Sequence, residues 1–220
     1  MKGRVLATIL LLGLGAMSVR AAEVQVYEQE QGGEVSRLEL GYSVQQDGVL
    51  IASQSESETY FTRAGADGDT RQWQVWGETA AVEAQRRDQQ VRVRGRNGSG
   101  EFEYSFALEG LPWYQALSYA LGQWLQREPQ AGQIEFWMIR PDNHRPVRLQ
   151  ARRGEVQPLR IAGDTRQTRR VEVRPAGWRG RLWSASYWFD ARSGHFLRYE
   201  SGALVPGMAE TRIELVSTSP

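Results

Sequence analysis

Glu101-Phe102-Glu103-Tyr104-Ser105-Phe106-Ala107-Leu108 places an apolar or aromatic side chain at every second position. Successive side chains of a strand point to opposite faces, so Phe102, Tyr104, Phe106 and Leu108 share a core-facing side and Glu101 and Glu103 face water. The same period recurs in Leu38, Leu40, Tyr42 and Val44 and in Val91 and Val93. It returns in Val171 and Val173 and in Thr211, Ile213 and Leu215. Gly32-Gly33, Asp47-Gly48, Asp67-Gly68, Asn97-Gly98, Arg153-Gly154 and Ser193-Gly194 fall between such runs and are predicted to be turns. Glycine accepts the positive φ of tight hairpins, and Asn or Asp tolerates it. Short strands joined by hairpins predict a mainly β fold: a curved antiparallel sheet or partial barrel (a β-roll).

One segment departs from that period. From Pro112 to Arg127, Trp113, Leu117, Ala120, Leu121 and Trp124 recur at helical spacing, with Gln115, Ser118, Gly122 and Gln126 opposite. This predicts one amphipathic helix packed against the sheet, with Pro112 in its first turn and Pro129 ending it by about Glu128. Such a helix either plugs one end of the curved sheet or links two halves. Residues 22–220 are therefore expected to form a single β-rich domain, with two halves joined near a 112–128 helix as the alternative.

The first residues carry the pattern of a secretory signal peptide. Lys2 and Arg4 precede an apolar run from Val5 to Ala16, and Val19-Arg20-Ala21 offers small residues for cleavage after Ala21. The apolar run is too short to span a bilayer. The expectation is export to the periplasm, with residues 1–21 outside the fold and no transmembrane segment after cleavage. There is no cysteine, which excludes disulfides, thiolate metal sites and acylation at a lipoprotein cysteine. Lys2 is the only lysine, so Schiff-base and phosphate-loop lysine chemistry is excluded from residues 22–220.

Charge is unevenly placed. Residues 22–139 carry 9 arginines against 18 acidic residues, and residues 140–200 carry 14 arginines against 6. A basic second half either meets an anionic partner or complements the first half. Arg86-Arg87 and Arg92, Arg94 and Arg96 lie among acidic neighbours, and the near-neutral total argues against nucleic acid.

The inventory for catalysis is small. His144 sits in a proline-bounded turn, Arg140-Pro141-Asp142-Asn143-His144-Arg145-Pro146, and His195 in the turn Asp190-Ala191-Arg192-Ser193-Gly194-His195. Asp190, Ser193 and His195 are the side-chain types of a hydrolase triad, but no Gly-x-Ser-x-Gly elbow accompanies them. Asp142 and His144 are too few for a zinc site. No enzyme activity, catalytic residue, metal or cofactor is expected from these residues. Tryptophan says more: eight are present, and Tyr187-Trp188-Phe189 puts aromatic rings on both faces of one strand. That pattern suits a doubly covered strand or a lined cavity.

The run from Gly163-Asp164 through Arg170-Val171-Glu172-Val173, Leu182-Trp183 and Tyr187-Trp188-Phe189-Asp190 continues to Gly194 and Leu197-Arg198-Tyr199-Glu200. With Thr211-Arg212-Ile213-Glu214-Leu215, it resembles an exported bacterial family catalogued as domain of unknown function 3108. It is similar, more loosely, to periplasmic lipoprotein-carrier half-barrels. The resemblance implies a half-open barrel with an apolar cavity for acyl chains and brings no catalytic residues with it. The function expected is non-enzymatic binding of a lipid-like ligand. Trp137, Trp183, Tyr187, Trp188 and Phe189 are the candidate wall, and Arg181 and Arg198 the candidate contacts to an anionic head group. The alternative is a scaffold or accessory subunit engaging an envelope protein partner through a strand edge or the arginine face.

Overall fold

Alternation becomes pairing in the computed structural model, which describes residues 23–55, 57–78, 80–177, 183–202 and 210–219. The signal peptide read over residues 1–21, together with Trp178, Arg181 and Leu182, lies outside them. Eight strands precede the helix: β1 (Glu23–Gln31), β2 (Glu34–Gln45), β3 (Gly48–Gln54), β4 (Glu58–Ala64), β5 (Thr70–Gly77), β6 (Ala81–Arg87), β7 (Gln90–Asn97) and β8 (Gly100–Ala107). After the helix α1 (Leu117–Arg127) come β9 (Gln133–Ile139), β10 (Pro146–Ile161), β11 (Asp164–Pro175), β12 (Ser184–Asp190), β13 (Phe196–Gly202) and β14 (Thr211–Ser219).

All belong to one 14-stranded antiparallel sheet, ordered β8-β7-β6-β5-β4-β3-β2-β1-β14-β13-β12-β11-β10-β9. The chain meanders outward from β1 to β8, crosses through α1, and meanders back from β9 until β14 pairs with β1. The sheet curls until its ends meet, yet among the described residues no ladder joins β8 to β9. Side chains make the seam instead. The Trp137 indole lies 5.7 Å from the Phe106 ring and donates from Nε1 to the Leu108 carbonyl at 3.1 Å. The Tyr104 hydroxyl donates to the His144 carbonyl.

The helix begins five residues later than the sequence pattern predicts. Pro112, Trp113 and Tyr114 are spent as a short parallel partner of β9: the Trp137 amide donates to the Pro112 carbonyl and the Tyr114 amide to the Trp137 carbonyl, both at 2.9 Å. Asp69 Oδ1 takes the Trp113 amide at 2.9 Å, holding the segment against the β4–β5 turn. An unpaired β-sheet edge outbids one more helical turn here because it satisfies backbone groups that the helix start leaves without partners. At the other end, the Arg153 guanidinium donates to the carbonyls of Glu128 (2.6 Å), Leu125 (3.4 Å) and Pro129, and its Cζ lies 5.2 Å from the Trp124 ring centroid. These are the orphan carbonyls of a helix C-terminus, which a cation suits.

Arg153-Gly154 is not a turn. It lies inside β10, where the register with β11 shifts between Arg153 and Val156. The glycine marks a bulge, since a Cβ there would sit 3.1 Å from the Arg170 carbonyl oxygen. The main core packs α1 residues Leu117, Leu121 and Trp124 against Tyr27, Phe136, Val171 and Phe189. A second core under β5–β8 gathers Trp73, Val82 and Val93 around Trp113 and Ile139.

Candidate functional site

Alternation in β2 sends Leu38 and Leu40 to the inner face, and β3 sends Ile51 beside them. Beyond β1, which separates β2 from β14, Tyr187 of β12, Tyr199 of β13 and Ile213 of β14 stand side by side in register. These two walls border a cavity of about 440 Å³ that is partly open to solvent, flanked also by Trp73, Met138, Phe196 and the first turn of α1 at Leu117. Its size falls within the roughly 300–1,000 Å³ of small-molecule sites. The lining is mostly apolar, with Ser53, Thr62, Gln115 and Ser118 as isolated polar groups. Tyr187 meets Tyr199 edge-on, ring centroids 5.0 Å apart. Burial pushes the Tyr187 hydroxyl well above the usual phenol range.

The expected wall is split by the structure. Trp183 and Tyr187 line the cavity. Phe189 shares the Tyr187 face but is fully buried against Phe196, rings 5.9 Å apart. Trp188 faces the outer side, 7% exposed, where the Arg170 guanidinium lies 5.6 Å from its ring. Arg198 is on that outer side too, opposite Trp188 in register. It pairs with Glu214 and donates to the Arg160 carbonyl at 3.2 Å. Trp137 is committed to the seam. Arg181 lies outside the described residues. The wall also includes Leu38 and Leu40, which the sequence shows only as one side of an alternating strand, and Ile51 and Trp73, which the sequence pattern does not single out.

Asp190, Ser193 and His195 form a turn. Asp190 Oδ1 accepts the amides of Arg192 (3.0 Å) and Ser193 (2.9 Å) and the Ser193 hydroxyl at 3.1 Å. Burial works to raise this carboxyl, but those three hydrogen bonds outweigh it and hold Asp190 below its usual range. The Ser193 hydroxyl therefore donates to the Asp190 carboxylate and not, as a hydrolase triad would require, to an imidazole. His144 is not the solvated turn residue expected from its sequence: it is 7% exposed, 5.8 Å from the Phe102 ring, with its pKa lowered by burial. Asp142 is taken by Arg140 at 2.9 Å. Among the described residues no three potential metal ligands gather, and no helix is long and apolar enough to cross a membrane.

No family model and no curated protein matches the sequence, so the resemblance to the domain of unknown function 3108 family is not confirmed. Solved structures do match. A beta-barrel-like protein of the domain of unknown function DUF1849 from Brucella abortus superposes with a TM-score of 0.63 at 10% identity, over 90% of this chain and 97% of that one. The two chains share a fold. The hypothetical lipoprotein YmcC from Escherichia coli is similar at a TM-score of 0.42 and 13% identity, over 90% and 85% of the two chains. A chain of the Pseudomonas aeruginosa MucA/MucB complex gives 0.35 and 14%, over 90% and 51%.

Burial of phenols has a measurable consequence. Each of the eight tyrosines has its pKa raised, with desolvation as the largest cause, Tyr42 and Tyr104 to about 12. An unfolded chain ionises them near 10. The folded state binds these protons more tightly, so their contribution is complete below about pH 10 and is lost as pH rises toward 12 and beyond. Denaturant midpoints are expected to be flat from pH 8 to 9.5 and to fall steeply above pH 10. Tyrosinate absorbance at 295 nm should rise together with loss of near-ultraviolet dichroism. A smooth phenol titration centred near 10 in a still-folded protein would contradict this.

Proposed function

We propose that the protein is an exported periplasmic binder of a lipid-like, apolar or amphipathic ligand, held inside the curl of the sheet. One observation carries this: an apolar cavity sits between the walls of β2–β3 and β12–β14, where a closed core would place side chains. Aromatic and aliphatic side chains that face open space rather than one another form an apolar surface that a lipid-like ligand would cover. The candidate contacts are Leu38, Leu40, Ile51, Trp183, Tyr187 and Ile213. Arg198 is not among them, because its guanidinium is engaged on the opposite face.

Titration with 1-N-phenylnaphthylamine tests it. The parent is expected to bind the dye with micromolar affinity, with quenching of tryptophan fluorescence from Trp73 and Trp183. Leu38→Trp fills the cavity from a half-buried strand position and should weaken binding at least about tenfold, as expected where a pocket loses its room. Unchanged far-ultraviolet dichroism checks the fold. Absence of dye binding by the parent, or equal binding by the variant, refutes the proposal.

A further inference from the structure

A second cavity of about 660 Å³ adjoins the first at the helix end. The inner face of β2 runs through both: Leu38 and Leu40 line the apolar chamber, and the next two inward residues, Tyr42 and Val44, line the second. The same succession holds in β3, from Ile51 to Val49, and along α1, from Leu117 to Tyr119 and Gln123. Ser118 and Phe196 belong to both walls. The partition between the chambers is thus a few side chains, not a strand or a helix.

The chemistry changes across that partition. The second chamber is lined by Gln25, Gln45, Gln46 and Gln123 and by Tyr119 and Ser193; the Gln25 amide is itself engaged by Glu23 and Tyr27, at 2.9 and 2.5 Å. Among the described residues, its charged side chains are the carboxylates of Glu23 and Asp47 against the guanidinium of Arg71, with His195 beside them. Two carboxylates oppose an anion, whereas amides and hydroxyls donate and accept in equal measure. Resting on the reading of the apolar chamber as a ligand site, we propose that the ligand is a single-chain amphiphile with an uncharged, hydroxyl-rich head. Its chain occupies the first chamber, and its head, of sugar or polyol type, occupies the second. Among the described residues, no arginine of the basic half lines this chamber.

Displacement of 1-N-phenylnaphthylamine by n-dodecyl-β-D-maltoside and by dodecyl phosphate, both below their micelle concentrations, tests the head-group assignment. The two share a chain and differ only in the head. The maltoside is expected to displace the dye at a concentration at least tenfold lower than the phosphate. Gln123→Leu, which keeps a helix-forming side chain but removes the amide, should bring that ratio to within threefold. The ratio is read within each variant, so a general loss of folding or of chain binding cancels. Equal displacement by the two detergents, preference for the phosphate, or a ratio untouched by Gln123→Leu overturns the proposal while leaving the apolar cavity standing. Failure of the parent to bind the dye overturns both.

Discussion

Trp113→Ala is expected to lower the melting temperature by about 6–20 °C, the largest effect of any single side-chain truncation in the seam. Removing a buried tryptophan costs about 3–5 kcal/mol, and in a chain of this size each kcal/mol shifts the midpoint by about 2–4 °C. Trp113 is 0% exposed and packs in the second core with Trp73 and Ile139. Its Nε1 donates to Gln115 Oε1 at 3.1 Å, and that same oxygen receives the Ile139 amide at 3.0 Å. Its backbone is bonded to Asp69 and to the Thr70 amide, at 2.9 and 2.7 Å. The indole therefore fixes a point where the β4–β5 turn, the end of β9 and the approach to α1 converge. Trp76→Ala is the control. That indole is 48% exposed and, among the described residues, its one aromatic neighbour is Phe61, centroids 5.3 Å apart. It should cost under about 1 kcal/mol, as surface substitutions do. Equal losses in the two variants, measured by denaturant unfolding, would show that the seam is not held by Trp113.

What sequence made legible follows from the range over which each signal acts. Period two is a property of one strand, so Leu38–Val44, Val91–Val93 and Phe102–Leu108 name their own inner faces without reference to anything else. Turn chemistry is equally local, which is why the hairpins at Asp47-Gly48 and Ser193-Gly194 fall where expected. The failures are the non-local cases. Pro112 and Trp113 fit a helix by spacing, and they are drawn off it by a strand more than twenty residues away. Gly154 looks like a hairpin glycine, and it is a bulge because Arg170 on β11 approaches its backbone. His144 reads as exposed because its neighbours are prolines, Asp and Asn, and it is buried because Phe102 and Trp73 arrive from strands far earlier in the chain.

The candidate site fails to be legible for the same reason. Tyr187, Trp188 and Phe189 are consecutive, and a strand necessarily sends the middle one outward, so at most two of the three could share one surface. Tyr187 and Phe189 both lie near Phe196, with ring centroids 6.1 and 5.9 Å from it, but only Tyr187 also lines the cavity, a distinction set by neighbouring strands and not by local sequence. Arginine excess in the second half likewise has a structural outlet. Arg198 meets Glu214 and Glu200, Arg170 meets Ser186 and Trp188, and Arg153 meets the end of α1. A surplus of one charge over sixty residues of sequence thus says little about the charge of a particular cavity.

Gly122→Ala is expected to destabilise the protein by about 1–3 kcal/mol, the range for forcing extra atoms into a packed contact. Helix propensity alone predicts the opposite sign, since alanine in place of glycine in a helix interior gains roughly 1 kcal/mol. The geometry decides between them. A Cβ on Gly122 would lie 2.4 Å from the Gly194 carbonyl oxygen and 3.5 Å from Phe189. The clash is with backbone, and Gly194 cannot swing away cheaply, because its amide is bonded to the Asp190 carbonyl at 2.9 Å in a turn that Asp190 caps. Either α1 lifts or the β12–β13 turn deforms. Lifting α1 moves Leu117 and Ser118, which are wall to one chamber and to both. The variant should therefore melt lower and also bind 1-N-phenylnaphthylamine several-fold more weakly. A variant that melts higher than the parent would mean that α1 does not rest on the β12–β13 turn, and the helix could then not serve as the common wall of the two chambers.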